Sequence, residues 1–163
     1  MTSTRWASWK TWMGLASCAV LLAACASGPV RRVSEPSARI QQLTVRADGS
    51  WSADLRIENF SSIPMRFDSL RLDLEVEDHP AGPLQATPAV MIGPESADVV
   101  TVTLAPAAAA KFAVAQALAD GKSVEYSLEG TFTATPDEER QREFEMERSS
   151  VLSPAPGLPG VMR

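Results

Sequence analysis

The run from Ser69 to Glu77 constrains the fold more than any other stretch of the 163-residue chain. Leu70, Leu72, Leu74 and Val76 alternate without a break with Ser69, Arg71, Asp73, Glu75 and Glu77. On a pleated strand the two sets point to opposite faces, one wholly aliphatic and the other charged or polar. The charged set then reads as a solvated face, and its acids are spaced too regularly along the strand to converge on a metal ion.

The same period of two recurs along the chain. Leu43 and Val45 lead to Asp48-Gly49, after which Trp51, Ala53, Leu55 and Ile57 alternate with Ser52, Asp54, Arg56 and Glu58. Two alternating runs around an Asp-Gly pair predict an antiparallel hairpin. His79-Pro80-Ala81-Gly82 reads as the turn that closes the Leu70 to Val76 strand. Weaker runs at Leu84 to Ala86 and Ala89 to Ile92, interrupted by Pro83, Pro88 and Pro94, suit edge strands. Alternation returns at Val100, Val102 and Leu104, then at Val124, Tyr126, Leu128, Gly130 and Phe132, and in a last strand around Phe144, Met146 and Val151. Between these, the alanine-rich stretch from Pro106 to Ala119, with Gly121 beyond it, predicts one short helix packed on the sheet through Phe112, Ala115 and Leu118.

Together these elements predict an all-β chain, an immunoglobulin/fibronectin III-like antiparallel β-sandwich of about seven strands with one short helix, over residues 40–152. Residues 153–163 hold Pro154, Pro156 and Pro159 with Gly157 and Gly160, and read as a loose, disordered tail.

Residues 1–24 contain Arg5 and Lys10 but no acid, followed by an apolar stretch from Trp12 to Ala24. That stretch falls short of the roughly 20 residues of a membrane-spanning helix and has the order of a secretory signal peptide, removed in the mature chain. Leu22-Ala23-Ala24-Cys25 resembles the bacterial lipobox, which implies diacylglycerol on the Cys25 thiol, cleavage before it and acylation of the new amino group. Several acyl chains on one residue exceed what stable anchoring requires. Leu15-Ala16-Ser17-Cys18 also fits the pattern, but cleavage there leaves too short an apolar region after Lys10. A Cys18 to Cys25 disulfide would need both residues in the mature chain.

Cleavage before Cys25 leaves 13 basic against 20 acidic residues, a net charge of −7, and no thiol other than the modified one. Such a balance argues against nucleic acid as a partner and against electrostatic adhesion to anionic lipid, so membrane contact comes from the lipid. Residues 25–39 are small and polar and read as a tether. The 13 residues after Cys25 reach at most about 40 Å, with Arg31 and Arg32 solvated.

Catalytic chemistry finds little material. The chain has one histidine, His79, between Asp78 and Pro80, so a histidine triad or a zinc set would need a second subunit. Gly121-Lys122-Ser123 follows a predicted helix, whereas a phosphate-binding glycine loop follows a strand. Trp51 and Tyr126 sit on apolar strand faces and read as core. The expectation is no enzyme, no cofactor, no metal and no small-molecule substrate.

The stretch "ADLRIENFSSIPMRFDSLRLDLEVED", Ala53 to Asp78, and the later "GKSVEYSLEGTF", Gly121 to Phe132, resemble the water stress and hypersensitive response (WHy) domain of type 2 late embryogenesis abundant proteins. Where that family usually has Asn-Pro-Asn in its turn, this chain has Asn59-Phe60-Ser61, so Asn59 carries over, with Pro64 as the family proline. Both are expected to be structural turn residues. The resemblance implies a folded sandwich without enzymatic activity and a role in tolerance of desiccation, cold or related stress.

The resulting expectation is a lipoprotein anchored through Cys25, with the stress-protective domain on the periplasmic face of the outer membrane. Ala26, not Asp, follows the anchor, which by resemblance to lipoprotein sorting favours that membrane. The alternative is an accessory module of an envelope assembly that docks a partner protein on an exposed sheet edge near Leu84 to Ile92.

Overall fold

Each alternating run becomes a strand because its apolar set can be covered by the apolar set of a facing sheet. The structure, a computed structural model, describes residues 30–163; Cys18, Cys25 and the signal-like segment lie outside the described residues. In chain order the elements are β1 (Ser37–Val45), β2 (Trp51–Asn59), β3 (Met65–Val76), β4 (His79–Ala86), β5 (Val90–Ile92), β6 (Ser96–Leu104), α1 (Ala108–Asp120), β7 (Val124–Pro136), β8 (Arg142–Leu152) and β9 (Val161–Met162). One sheet has the order β6-β2-β1-β9, and the other β4-β3-β7-β8, with β5 also paired to β3. Every pairing is antiparallel. The two-sheet sandwich expected from the alternation is therefore the fold.

The inward sets meet in one aliphatic core. Leu55, Ile57, Leu72, Leu74 and Leu128 are fully or almost fully buried, as is Trp51, and Phe67 meets Phe132 edge to face at 5.7 Å. Tyr126 is also core, and its hydroxyl accepts a hydrogen bond from the Ile40 amide at 3.1 Å. That amide sits where β1 bulges between Ile40 and Gln42. The phenol thus ties β7 of one sheet to an irregularity in β1 of the other.

The β1–β2 hairpin forms at the Asp-Gly pair as expected. Gly49 takes φ 80°, its amide donates to the Arg46 carbonyl, and the Asp48 carboxylate accepts from the Ser50 amide. This is the three-residue loop with a left-handed glycine that matches strand twist.

Several local expectations are corrected. The turn after β3 lies at Glu77-Asp78, both with positive φ, and His79 and Pro80 already belong to β4. A two-residue turn of that handedness usually carries Asn-Gly or Asp-Gly, and neither is present here. Pro80 and Pro83 are tolerated because β4 is an edge strand, where a missing donor breaks no inner ladder. In β8 the inward residues are Phe144, Met146 and Leu152, while Val151 points out.

Helix α1 buries Ala110, Val114 and Ala117 rather than Phe112 and Ala115; Leu118 is half-buried, and Phe112 is 71% exposed. With small apolar residues on all sides, the sequence offers little contrast to fix the buried face. Gly121 ends the helix in the left-handed region, its amide bonded to the Ala117 carbonyl, so Gly121-Lys122-Ser123 is a helix exit.

The C-terminal segment is not a loose tail. Val161 and Met162 form β9, paired with Thr44 and Leu43 of β1, and the Met162 side chain is fully buried. On its other side the segment folds back on itself, with Ser153 and Arg163 exchanging two backbone hydrogen bonds of 2.7 and 2.8 Å. The prolines fall mainly in the turn, leaving the amides of Val161 and Arg163 free to bond. This short hairpin joins the end of β8 to β1 and so staples the two sheets. Within the expected tether, residues 36–39 are not free: Pro36 and Ala38 are buried and residues 37–39 belong to β1.

Removal of residues 154–163 deletes a fully buried methionine and uncovers β1. The truncated chain should lose about 2–4 kcal/mol of unfolding free energy, read from the denaturant midpoint, and an unchanged midpoint would contradict the staple.

Candidate functional site

Asn59 ends β2, where the chain must leave one sheet and enter the other. Its side chain is buried. The amide nitrogen donates to the carbonyls of Ile63, Ile92 and Gly93 at 3.0, 3.1 and 2.9 Å, and the amide oxygen accepts from the Ser61 amide at 2.9 Å. Two amide hydrogens serve three carbonyls, so one is shared. A single side chain thereby holds the 60–64 crossover against the end of β5.

Ser61, also fully buried, extends the junction. Its hydroxyl accepts from the Ser34 amide at 3.0 Å and donates to the Ser34 carbonyl at 3.3 Å, while its own carbonyl accepts from the Glu95 amide. Next to it, the Ser62 hydroxyl accepts from the Arg32 amide at 2.8 Å, and the Ser62 amide donates to the Arg32 carbonyl at 2.9 Å. The entering segment 31–34 is bound along this turn much as a short strand would be.

Arg31 and Arg32, expected to be solvated, complete the latch. Arg31 donates to the Glu138 carboxylate at 3.0 Å and to the Asp137 carbonyl at 2.6 Å, and Arg32 donates to the Phe60 carbonyl at 3.1 Å. Pro64, the second predicted turn residue, contributes its carbonyl, which accepts from the Asp137 amide at 2.9 Å. Asn59 and Pro64 are therefore brought to the same end of the sandwich, in hydrogen-bonding roles without any reactive group beside them. Ser61, Ser62, Arg31 and Arg32 were not singled out for this in the sequence. The available signal was the pair of serines two and three positions after Asn59, in a turn otherwise made of Phe60 and Ile63.

Close to this end, Asp68 occupies a bulge of β3 between Phe67 and Ser69. Hydrogen bonds from Gln141 and Thr135 and the neighbouring Arg66 guanidinium hold its carboxyl below the usual aspartate range. The bulge also shifts the inward parity from Met65 and Phe67 to Leu70, which is why the unbroken alternation begins at Ser69.

The outer faces of the two sheets differ in charge. On the β6-β2-β1 face, Glu58 lies within 4.0 Å of Arg39, Arg56 and Arg148, and Asp54 accepts from the Thr101 hydroxyl. On the β3-β7-β8 face, Asp73 stands opposite Glu129, and Glu129 opposite Glu147, a three-strand row of like charges. The next row is Arg71, Thr131 and Glu145. Directly opposed like charges on an antiparallel pair repel and destabilise it. Shallow depressions of about 340 and 550 Å³ on this face are lined by acids and serines, among them Glu75, Glu125, Ser149, Glu129 and Glu147.

Among the described residues no group of three or more His, Cys, Asp or Glu side chains is placed to hold a metal ion. His79 is exposed at the start of β4. Among the same residues no helix is long and apolar enough to cross a membrane.

The sequence profile of the late embryogenesis abundant protein family (LEA_2) matches residues 54–147. No curated protein matches the chain. Similar solved structures include a protein from Archaeoglobus fulgidus, 13% identical over 76% of this chain and 98% of its own, with a TM-score of 0.42. A protein from Arabidopsis thaliana is 11% identical over 77% of this chain and 81% of its own, with a TM-score of 0.46. A candidate late embryogenesis abundant (LEA) protein is 14% identical over 98% of this chain and 95% of its own, with a TM-score of 0.44.

Replacing Asn59 by Ala strands buried carbonyls and the Ser61 amide together; unfolding free energy should fall by about 2–4 kcal/mol, and a loss under half a kcal/mol, of the size of a neutral surface change, would contradict the junction's role. Glu129→Lys places a cation between two opposed acids. It should raise stability by about 0.5–1 kcal/mol at low ionic strength, with the gain shrinking as salt is added; a destabilised variant would mean that the row is not under repulsion.

Proposed function

The chain belongs to the late embryogenesis abundant protein family, and from that premise we propose that it is a non-enzymatic, stress-protective domain held to the cell envelope by lipid on Cys25. The observation that carries the stress-protective part is the family match, which runs from β2 into β8 and so spans most of the sandwich. The anchoring part rests on Leu22-Ala23-Ala24-Cys25 and the short apolar segment before it. Ala26, not Asp, after the anchor supports a location on the periplasmic face of the outer membrane. Protection is by noncovalent contact with envelope proteins or surfaces, needing neither cofactor nor metal.

The second reading, an accessory module that adds a partner strand at a sheet edge, has less support. The edge strand β4 carries Pro80 and Pro83, which donate nothing to a ladder and blunt that edge against pairing.

Metabolic labelling with a clickable fatty acid should mark the wild-type chain and leave Cys25→Ala unmarked and released from the membrane fraction. Label and membrane recovery persisting in Cys25→Ala would contradict the anchor. A deletion strain should survive drying less well than its parent, and equal survival under drying, cold and osmotic shock would contradict the protective role.

A further inference from the structure

Resting on the anchor reading above, we infer that the loop end of the sandwich built from Phe60–Ser62, Gly93–Glu95 and residues 136–140 is the face apposed to a phospholipid headgroup surface. From Arg31 onward the chain is latched to that end through Ser62, Ser61, Asp137 and Glu138. Only residues 25–30 separate a lipidated Cys25 from the latch, and six residues span at most about 20 Å whatever their conformation. The 40 Å tether expected from the sequence is therefore halved.

The sandwich is longer than that leash. β7 has 13 residues, and at about 3.3 Å per residue it runs about 40 Å from the latched end to the opposite one. At the far end lie the Ala47–Gly49 hairpin loop and the exit of α1. Turning the far end toward the bilayer would require the attachment point to rise about 40 Å above it, twice what six residues allow.

At the latched end Glu138, Glu95 and Glu139 are each paired with an arginine, Arg31, Arg32 and Arg142, so its acids are offset where those of the sheet face are not. Lying on the β3-β7-β8 face would press Asp73, Glu129 and Glu147 against headgroups, which is unfavourable where those are anionic. The latched end instead presents Phe60, 45% exposed, a side chain suited to the boundary between headgroup and acyl chain. The exit of α1 is then held at the far end from the lipid, and the acidic sheet face stands upright, out of contact with headgroups.

The test uses the full lipidated chain in vesicles of phosphatidylethanolamine and phosphatidylglycerol bearing a headgroup energy-transfer acceptor. Donors are attached singly at Phe60→Cys or Arg140→Cys near the latch, and at Ala47→Cys at the far end. Transfer from the two latch positions should exceed that from position 47 at least threefold. Inserting 20 Gly/Ser residues between Gly28 and Pro29, with an r.m.s. span of about 25 Å, should collapse that ratio toward one. Equal transfer from both ends in the uninserted chain, or a ratio that the insertion leaves unchanged, overturns the inference while vesicle flotation shows the anchor intact. Failure to float, with an unacylated Cys25 by mass, instead overturns the anchor reading and this inference with it.

Discussion

The carboxamide of Asn59 is the contact on which the rest of the sandwich depends. A chain that moves from one sheet to the other must bend within a few residues, and the bend leaves backbone carbonyls inside the protein with no ladder partner. Here those carbonyls belong to Ile63, Ile92 and Gly93, and one side chain donates to all three while accepting from Ser61. Two separate sheet crossings, from β2 to β3 and from β5 to β6, are thereby closed at one point. Aspartate would bring acceptors where donors are required, and a longer amide would not fit the same turn, so the residue type follows from the geometry.

The Asn59 junction also decides where the folded domain begins. Because Ser61 and Ser62 bind the backbone of residues 32–34, a segment with the composition of a linker becomes part of the structure. The C-terminal hairpin does the same at the opposite end, where Met162 fills a core position between β1 and the end of β8. The hairpin covers part of the β1 edge that would otherwise stand beside β8 with its backbone unpaired. Closure of that edge comes from a proline-rich stretch, not from the alternating runs.

The contrast explains how much was legible in the sequence. Wherever burial follows strict period two, as in Trp51 to Ile57 or Leu70 to Val76, both the strand and its inward face could be read directly. Parity became unreadable where a bulge intervenes, as at Asp68, and where a turn uses Glu77-Asp78 in place of a glycine pair. The face of α1 was invisible because alanine on every side gives no contrast. Asn59 and Pro64 were legible as turn residues, but their partners come from segments 33 and 73 positions away, and nothing local in the sequence announces such a pairing. Linker-like composition at 31–36 and 153–163 misled for the same reason: a few backbone hydrogen bonds to distant strands outweigh what local composition suggests.

The charge distribution gives the family assignment a physical setting. One sheet face surrounds Glu58 with Arg39, Arg56 and Arg148, whereas the other leaves Asp73, Glu129 and Glu147 in register without a cation between them. Such a face stays hydrated and resists close association with like-charged surfaces.

Native-state amide hydrogen exchange addresses the central claim most directly, because the junction predicts a single cooperative unit from residue 32 to the C-terminus. The amides of Arg32, Ser34, Ser61, Glu95 and Asp137 should be protected to nearly the same free energy as those of β2 and β3 in the core. Exchange of the Arg32 and Ser34 amides at the rate of an unstructured peptide, with the core still protected, would contradict the account.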